Sequence, residues 1–398
     1  MVRISVLTSD QPPGAQDGWL MGSGAPVPLA AYGGWVPRVV LGAPAPGGLL
    51  LPPAQPTAAW LYAPRAVHVD DELVIVADTG NHRVLIWQAV PDADGAPAAV
   101  VLGQPDEHSE GPGAGGPARG MHLPTGIVRD GDRLVIADAW HHRLLIWDSI
   151  PTRTDTPPDH VIGQPYATVT EPNSGGEPSA TTFYWPFGIA LLDGRFYVAD
   201  TGNRRVLIWH DGIPAPGQPA DVILGQPGPA AREENRGGPV AADSFRWPHD
   251  FAPMAGGGVW IADAGNHRVL GWKTHPASDQ PADLVLGQED FASGGEFPYQ
   301  SQVGRLRFPY GIAGVDGALA VADTANNRVL LQESVSQVWA PTTALAQPDL
   351  GANGENRWDQ VSADTLCWPY GLCWHAGERE LLAIADSGNN RVVIWERR

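Results

Sequence analysis

The chain has 398 residues, a hydrophobic content of 43% and a formal net charge of −19. That much apolar surface can build a large core, which excludes an extended disordered segment. The negative charge repels phosphate backbones and anionic headgroups, so we expect neither a nucleic-acid partner nor a membrane partner. The two cysteines, Cys367 and Cys373, are too few for a disulfide framework, and no apolar run approaches the length of a membrane span. We therefore expect a cytoplasmic protein.

The first 37 residues differ from everything that follows. They are rich in Gly and Pro yet include Trp19, Trp35 and the pair Leu20-Met21. Such an arm could wrap the side of the following domain or dock into a partner, and a loosely ordered tail fits the composition equally well. We assign residues 1–37 to an N-terminal arm and residues 38–398 to one domain.

One pattern then recurs six times along the chain. Each copy joins two short apolar segments through an aspartate, a turn and an arginine, as in VIVADTGNHRVLIW at 74–87. The aspartates follow one another at intervals of 60, 62, 63, 60 and 63 residues. The Asp/Arg pairs are Asp78/Arg83, Asp138/Arg143, Asp200/Arg205, Asp263/Arg268, Asp323/Arg328 and Asp386/Arg391. Six equal copies indicate architecture, since a catalytic site is asymmetric.

Two further β-rich segments accompany each pair. An apolar stretch after a proline precedes the aspartate, and a segment such as VLGQP at 101–105 follows the arginine. Four strands in a unit of about 60 residues, repeated six times, predict an all-β, six-bladed β-propeller of four-stranded antiparallel blades. The Thr-Gly-Asn between the second and third strands is typical of a hairpin turn, since Gly and Asn tolerate positive φ.

The two ends of the chain complement each other. The last copy stops after its third strand, whereas an unpaired strand at about 38–42 stands before the first copy. Pairing this strand with the C-terminal blade would close the ring and remove its open edges.

The repeated core, as in Asp78-Thr79-Gly80-Asn81-His82-Arg83-Val84, resembles the NHL repeat. The second copy departs from it with Trp140-His141, and the fifth has Ala325 in place of glycine. The LGQP strand with its long following loop is similar to a bacterial subgroup of these propellers. The resemblance implies a protein-interaction platform, an RNA binder, a sensor module or, in some cases, an enzyme, so the fold alone does not choose the function.

Function is expected where the copies differ. The clearest difference is at the residue just after the proline that begins the first, innermost strand of each copy. The NHL layout implies that this position faces the mouth of the central channel. It is occupied in turn by Arg65, Thr125, Phe187, His249, Tyr310 and Tyr370. The next position is glycine except at Ala66 and Asp250. Such a ring could hold a planar or anionic group, grip a peptide from a partner, or merely plug the channel.

Pro248-His249-Asp250 also resembles a segment of the zinc-binding peptidylglycine-amidating lyases. Their zinc uses histidines from several blades. Among the six positions after the prolines only His249 is a histidine, so a three-histidine site is not expected. We expect no cofactor, and a structural or channel-bound metal ion stays open.

Two functions follow from these residues. The first is a non-catalytic interaction scaffold that binds a protein partner through the long loops before each proline, within a larger complex. The alternative is a small-ligand binder or a lyase- or hydrolase-like enzyme at the channel mouth. There His249 would act as a general base or ligand, Asp250 would orient it and Arg65 would hold an anion.

Overall fold

In the computed structural model, residues 32–44, 55–335 and 338–398 are described, and they form 24 β-strands. These strands build six four-stranded antiparallel sheets arranged as a ring, which confirms the predicted propeller. Within each of the first five blades the four strands pair in chain order, from the channel outward. Nowhere in these ranges is there a helix long and apolar enough to cross a membrane.

The first three blades follow directly from the repeats. Blade 1 contains β2 (Ala66–Val69), β3 (Val74–Asp78), β4 (Arg83–Trp87) and β5 (Val100–Leu102). Blade 2 contains β6 (Pro124–Asp130), β7 (Arg133–Asp138), β8 (Arg143–Trp147) and β9 (His160–Ile162). Blade 3 contains β10 (Pro186–Leu192), β11 (Arg195–Asp200), β12 (Arg205–Trp209) and β13 (Val222–Leu224).

The last three blades continue the same order. Blade 4 contains β14 (Pro248–Met254), β15 (Gly258–Asp263), β16 (Arg268–Trp272) and β17 (Leu284–Leu286). Blade 5 contains β18 (Pro309–Val315), β19 (Ala318–Asp323), β20 (Arg328–Gln332) and β21 (Thr343–Leu345). Blade 6 contains β22 (Pro369–Ala376), β23 (Glu380–Asp386) and β24 (Arg391–Arg397), completed by β1 (Trp35–Gly42).

The predicted closure is confirmed, with a longer strand than expected. β1 begins at Trp35 rather than near residue 38, and it pairs antiparallel with β24 from Trp35↔Arg397 to Gly42↔Arg391. A bulge lies between Pro37 and Val39, where the proline lacks an N–H for the ladder. Residues 35–37 therefore belong to the blade. Most of the predicted arm, residues 1–31, lies outside the described residues.

The apolar core lies between the blades. Each of six buried clusters combines residues of two neighbouring blades, as where Ile86 of blade 1 and Leu145 of blade 2 share one cluster. The tryptophans that end the third strand are buried in these layers, and Trp209, for example, packs edge-on against Phe183 of the preceding long loop. Because every blade buries both faces against its neighbours, no blade can be stable alone.

The turn between the second and third strands differs from the sequence expectation. It is a short 3-10 turn, and the residue after Asn takes the left-handed conformation, as at His82 with φ 56°. The glycine serves another purpose: a Cβ on Gly80 would lie 2.6 Å from the backbone oxygen of Tyr62. Glycine is therefore needed there because the long loop passes directly over the turn.

Candidate functional site

The buried Asp–Arg pairs connect each hairpin to the long loops above it. In blade 3, Asp200 Oδ2 accepts a hydrogen bond of 2.7 Å from Arg205 Nε, and its Oδ1 accepts one of 2.7 Å from the N–H of Tyr184. The guanidinium of Arg205 donates in turn to the carbonyl oxygens of Pro229 (2.6 Å) and Ser179 (2.7 Å). Both side chains are fully buried. The pair thus fixes loop backbone on either side of the blade, and the other five blades repeat an Asp–Arg bond of this kind.

The six positions after the inner-strand prolines converge at the channel mouth on the long-loop face. Their side chains form a ring in which neighbouring blades touch. The ring centroids lie 4.3 Å apart for Phe187 and His249, 4.6 Å for His249 and Tyr310, and 4.6 Å for Tyr310 and Tyr370. The two tyrosine rings are almost parallel, at 8°. The ring borders a cavity of about 50 Å³, which is large enough for ordered water.

Arg65 reaches across this ring from blade 1. Its guanidinium carbon lies 4.7 Å from the ring centroid of Tyr370 and 6.0 Å from that of Phe187, two cation–π contacts. Within the described ranges, no carboxylate lies within ion-pair distance of this guanidinium, although the chain carries a net charge of −19. Arg65 therefore presents an uncompensated positive charge at the centre of the mouth.

His249 is neutral and fixed in one tautomer. Its Nδ1 donates a hydrogen bond of 2.9 Å to the carbonyl oxygen of Trp247. Burial lowers the pKa of His249 to about 3, against the effect of that carbonyl and with a further lowering by Arg65. The Nε2 atom is therefore an acceptor at neutral pH.

Asp250 does not pair with His249, contrary to the expectation that it orients the imidazole. Its Oδ1 accepts the N–H of Phe251 at 2.9 Å, and its Oδ2 accepts the N–H of Ile312 in blade 5 at 3.0 Å. Burial raises the pKa of Asp250 to about 7 against these two hydrogen bonds. The two candidate catalytic residues thus stand side by side along the strand with separate partners, and they form no acid–base dyad.

The residue after each ring position is glycine in four blades because the inner strands contact one another closely there. A Cβ on Gly188 would lie 2.0 Å from the backbone oxygen of His249, and one on Gly311 would lie 2.1 Å from that of Tyr370. Asp250 occupies this position in blade 4, and its side chain extends to blade 5, where it accepts the N–H of Ile312. Thr125 is equally structural, since its buried hydroxyl donates to the carbonyl oxygen of Phe187 at 2.9 Å.

A second set of side chains around the mouth escaped the sequence analysis. We call it the aromatic rim: Tyr62, Trp140, Tyr184, Trp185, Trp247, Phe308 and Trp368. Four of its members are among the large exposed apolar side chains, with exposures of 38–47%. The rim continues into the inner ring, since Trp185 contacts Phe187 at 6.4 Å and Phe308 contacts Tyr310 at 6.1 Å. The signal in the sequence was the residue just before each proline, which is aromatic in four of the six copies.

The described part of the chain contains no group of three or more His, Cys, Asp or Glu residues arranged to hold a metal ion. The histidines nearest to one another, His82, His122 and His141, instead contact one another as rings, with centroids 5.1 and 5.5 Å apart. Burial lowers the pKa of His82 to about 4, so it is uncharged at neutral pH.

The fold and its repeats define a six-bladed β-propeller. Residues 245–272 match the NHL repeat family. The chain is also similar to "NHL repeat-containing protein 2" from Gallus gallus (26% identity over 301 residues) and from Homo sapiens (32% over 293 residues). These findings support assignment of the chain to the NHL-repeat proteins.

Coverage of these relatives is partial. The alignments take in 67% and 66% of this chain but 37% of each relative, so the chain spans little more than a third of the length of the curated relatives it matches. Among solved structures, virginiamycin B lyase from Staphylococcus aureus is similar over 86% of this chain and 97% of that chain, with a TM-score of 0.40 and 12% identity.

Proposed function

We propose that this propeller is a non-catalytic interaction module that binds a protein partner on its long-loop face. The observation that carries the proposal is the aromatic rim, a set of exposed and partly exposed aromatic side chains near the channel mouth, several of which contact one another or the inner ring. Aromatic and arginine side chains dominate the binding energy of protein interfaces, because they bury large areas at a low entropic cost. The Asp–Arg pairs hold the surrounding loops in place, so little ordering would be needed on binding.

Arg65 defines the chemistry of the partner segment. Among the described residues no carboxylate pairs with this guanidinium, which stacks on Tyr370, so it can accept an anion from a partner. An inserted peptide segment would satisfy the site if it places an Asp, a Glu or a chain-terminal carboxylate at the centre and apolar side chains on the rim.

A role within a larger assembly is also a proposal. The relatives are longer than the part that aligns with this chain, which is 37% of each, and on that basis we propose a role within an assembly. Membership of the bacterial LGQP subgroup and a cytoplasmic location remain predictions from the sequence, the latter consistent with two free cysteines.

The small-ligand or lyase alternative rests on Arg65 and His249 alone. The cavity of about 50 Å³ is well below the roughly 300 Å³ of typical small-molecule sites. His249 also has no carboxylate partner, since Asp250 bonds to the backbone of blade 5. Binding of a small carboxylate to Arg65 is the form of this alternative that the geometry favours.

Panning a displayed library of random peptides on the purified chain tests the proposal and requires no identified partner. We expect a consensus that combines an acidic residue with apolar side chains. Peptides of that consensus should lose about 30-fold or more in affinity for Trp368→Ala and for Arg65→Gln, because interface hot spots cost about 2 kcal/mol or more. Tyr299→Ala is the matched control, because Tyr299 is fully exposed and lies outside the rim.

Two results would count against the proposal. One is the absence of any consensus after panning. The other is a consensus whose affinity is the same for wild type, Trp368→Ala and Arg65→Gln. Thermal stabilisation by small carboxylates that is lost in Arg65→Gln but kept in Trp368→Ala would favour the small-ligand alternative instead.

A further inference from the structure

The residue just before each inner-strand proline takes a backbone conformation that is rare for its type. Five of these six residues have a positive φ, between 46° and 57°, and three of the five are the rim members Trp185, Phe308 and Trp368. A positive φ is an outlier for a bulky side chain, and such outliers persist only where the surrounding structure holds them. Part of the fold must therefore fix the rim at these positions.

The contact that holds these residues comes from the preceding blade. It is made by the residue just before the arginine of each repeat, which we call the turn residue. In blade 2 the turn residue is His142, and its Nδ1 accepts the backbone N–H of Trp185, the rim residue of blade 3. The three contacts of this kind join His82 to Leu123 (3.2 Å), His142 to Trp185 (3.0 Å) and His267 to Phe308 (3.2 Å).

Asparagine replaces histidine as the acceptor in blades 5 and 6. The Oδ1 atom of Asn327 accepts the N–H of Trp368 at 3.0 Å, while its Nδ2 donates to the carbonyl oxygen of Asn353 and so orients the amide. The Oδ1 atom of Asn390 accepts the N–H of Ala63 at 3.0 Å, which carries the same bond from the last blade to the first. The five contacts therefore share a side-chain acceptor at the turn residue, either an imidazole nitrogen or an amide oxygen.

The three imidazoles can act as acceptors because they are uncharged. An Nδ1 atom that accepts a hydrogen bond carries no proton, so the protonated ring could not make this contact. Burial lowers the pKa of His82, His142 and His267 to about 4. At neutral pH these side chains are therefore equivalent to the asparagine amides as acceptors.

The boundary between blades 3 and 4 has a donor in place of the acceptor. The turn residue is Arg204, whose guanidinium can only donate, and it bonds to the carbonyl oxygens of Gly202 and Arg232. Trp247, the rim residue that follows, does not have a positive φ. Its N–H is directed instead to Oδ1 of Asp263 in its own blade, at 3.3 Å. Among the six boundaries, the left-handed conformation is thus lost at the one where the turn residue cannot accept a hydrogen bond.

The backbone conformation also affects where the rim side chains point, because φ sets the direction of the Cα–Cβ bond relative to the preceding chain. Trp185 and Phe308, which are held by turn residues, contact Phe187 and Tyr310 of the inner ring. Trp247, which is not held in this way, stacks on Phe308, with ring centroids 6.3 Å apart. The turn residue of one blade is therefore linked to the orientation of an aromatic side chain in the next.

We propose that the turn residues are the positioning residues of the aromatic rim. An acceptor at this place holds the rim side chain of the next blade in its binding orientation, and Arg204 leaves Trp247 in a different one. This gives His142 and its counterparts a role in specificity, because they decide which aromatic faces a bound peptide meets. The role in specificity rests on the proposed function, whereas the positioning is a property of the free chain.

Hydrogen exchange of a chain labelled with 15N-tryptophan tests the positioning without a partner. His142→Gly removes the acceptor and tolerates the positive φ of 55° at this place, whereas His142→Asn keeps an acceptor. The backbone amide of Trp185, assigned with Trp185→Phe, should exchange about fivefold faster or more in His142→Gly, the effect of losing one hydrogen bond. It should keep its wild-type rate in His142→Asn. The amide of Trp368, which Asn327 holds, is the internal control and should be unchanged in both variants.

Arg204→Asn is the converse experiment, since it supplies an acceptor where the chain has a donor. A crystal structure of this variant should show Trp247 with a positive φ and its N–H bonded to the introduced amide oxygen. Arg204→Lys, which retains a donor, is the matched control and should keep the wild-type conformation. A Trp247 that keeps its wild-type φ in Arg204→Asn would overturn the rule that the acceptor selects the conformation.

The affinity of peptides selected by panning connects the positioning to binding. We expect His142→Gly to weaken these peptides about fivefold or more, and His142→Asn to retain the wild-type affinity. Equal affinities for wild type and His142→Gly would overturn the role in specificity. A Trp185 amide that exchanges at the wild-type rate in His142→Gly would overturn the positioning itself.

The two levels of the proposal fail separately. If panning yields no consensus, the proposed function is refuted, and the exchange rates together with the Arg204→Asn structure still decide the positioning. Thermal unfolding of each variant shows whether the fold is retained. If His142→Gly does not fold, His267→Gly and the amide of Phe308 in a chain labelled with 15N-phenylalanine give the same test.

Discussion

Asp250→Gly restores the glycine that the neighbouring blades carry, and it should flatten the pH dependence of folding. Burial raises the pKa of Asp250 from its usual 3.8 to about 7 in the folded state. The folded chain therefore keeps a proton that the unfolded chain has lost between these pH values, so stability falls as pH rises through this window. With 1.36 kcal/mol per pKa unit, this group alone removes about 2–3 kcal/mol between pH 5 and pH 8.

Urea unfolding of the wild type and of Asp250→Gly at several pH values between 5 and 8 measures this effect. The variant should gain about 2–3 kcal/mol relative to the wild type between the two ends of the range. Asp132→Asn, which removes an exposed carboxylate, should leave the wild-type profile unchanged. A difference between wild type and Asp250→Gly that stays constant from pH 5 to pH 8 would refute the reasoning.

Three further substitutions probe the architecture by equilibrium unfolding. Asp200→Asn should cost about 3–5 kcal/mol, because it leaves a buried guanidinium uncompensated, whereas Asp155→Asn in a partly exposed ion pair should cost at most about 1 kcal/mol. Gly188→Ala should cost about 1–3 kcal/mol or more through its contact with the next inner strand, whereas Gly228→Ala, with open space around it, should be nearly neutral. Leu41→Ala should cost about 2–4 kcal/mol, since its fully buried side chain holds the closing strand. Equal effects within either matched pair, or a neutral Leu41→Ala, would contradict these assignments.

The fold was predictable because architecture demands the same residues in every blade. Asp200 and Arg205, for instance, have counterparts at one interval throughout the chain, and the strand order follows from where they stand. The reason for the glycine in the turn was not predictable, because the sequence does not show that a loop passes over Gly80.

The candidate site was only half predictable. The positions just after the prolines indicated which side chains face the channel, because each lies at the same place at the start of an inner strand. It could not show that Asp250 bonds to Ile312, 62 residues away, instead of to His249, because that partner belongs to another blade.

The pairing of β1 with β24 also affects the order in which this protein can fold. The first strand of the ring pairs with the last, so blade 6 stays incomplete until β24 has been synthesised. Each earlier blade can pack against its predecessor as it emerges, whereas the apolar face of β1 stays without its partner strand. Pairing β1 with β24 also closes a very long loop, which has an entropic cost. In a nascent chain β1 is therefore an unpaired edge strand until β24 is available, and unpaired edge strands are prone to aggregation.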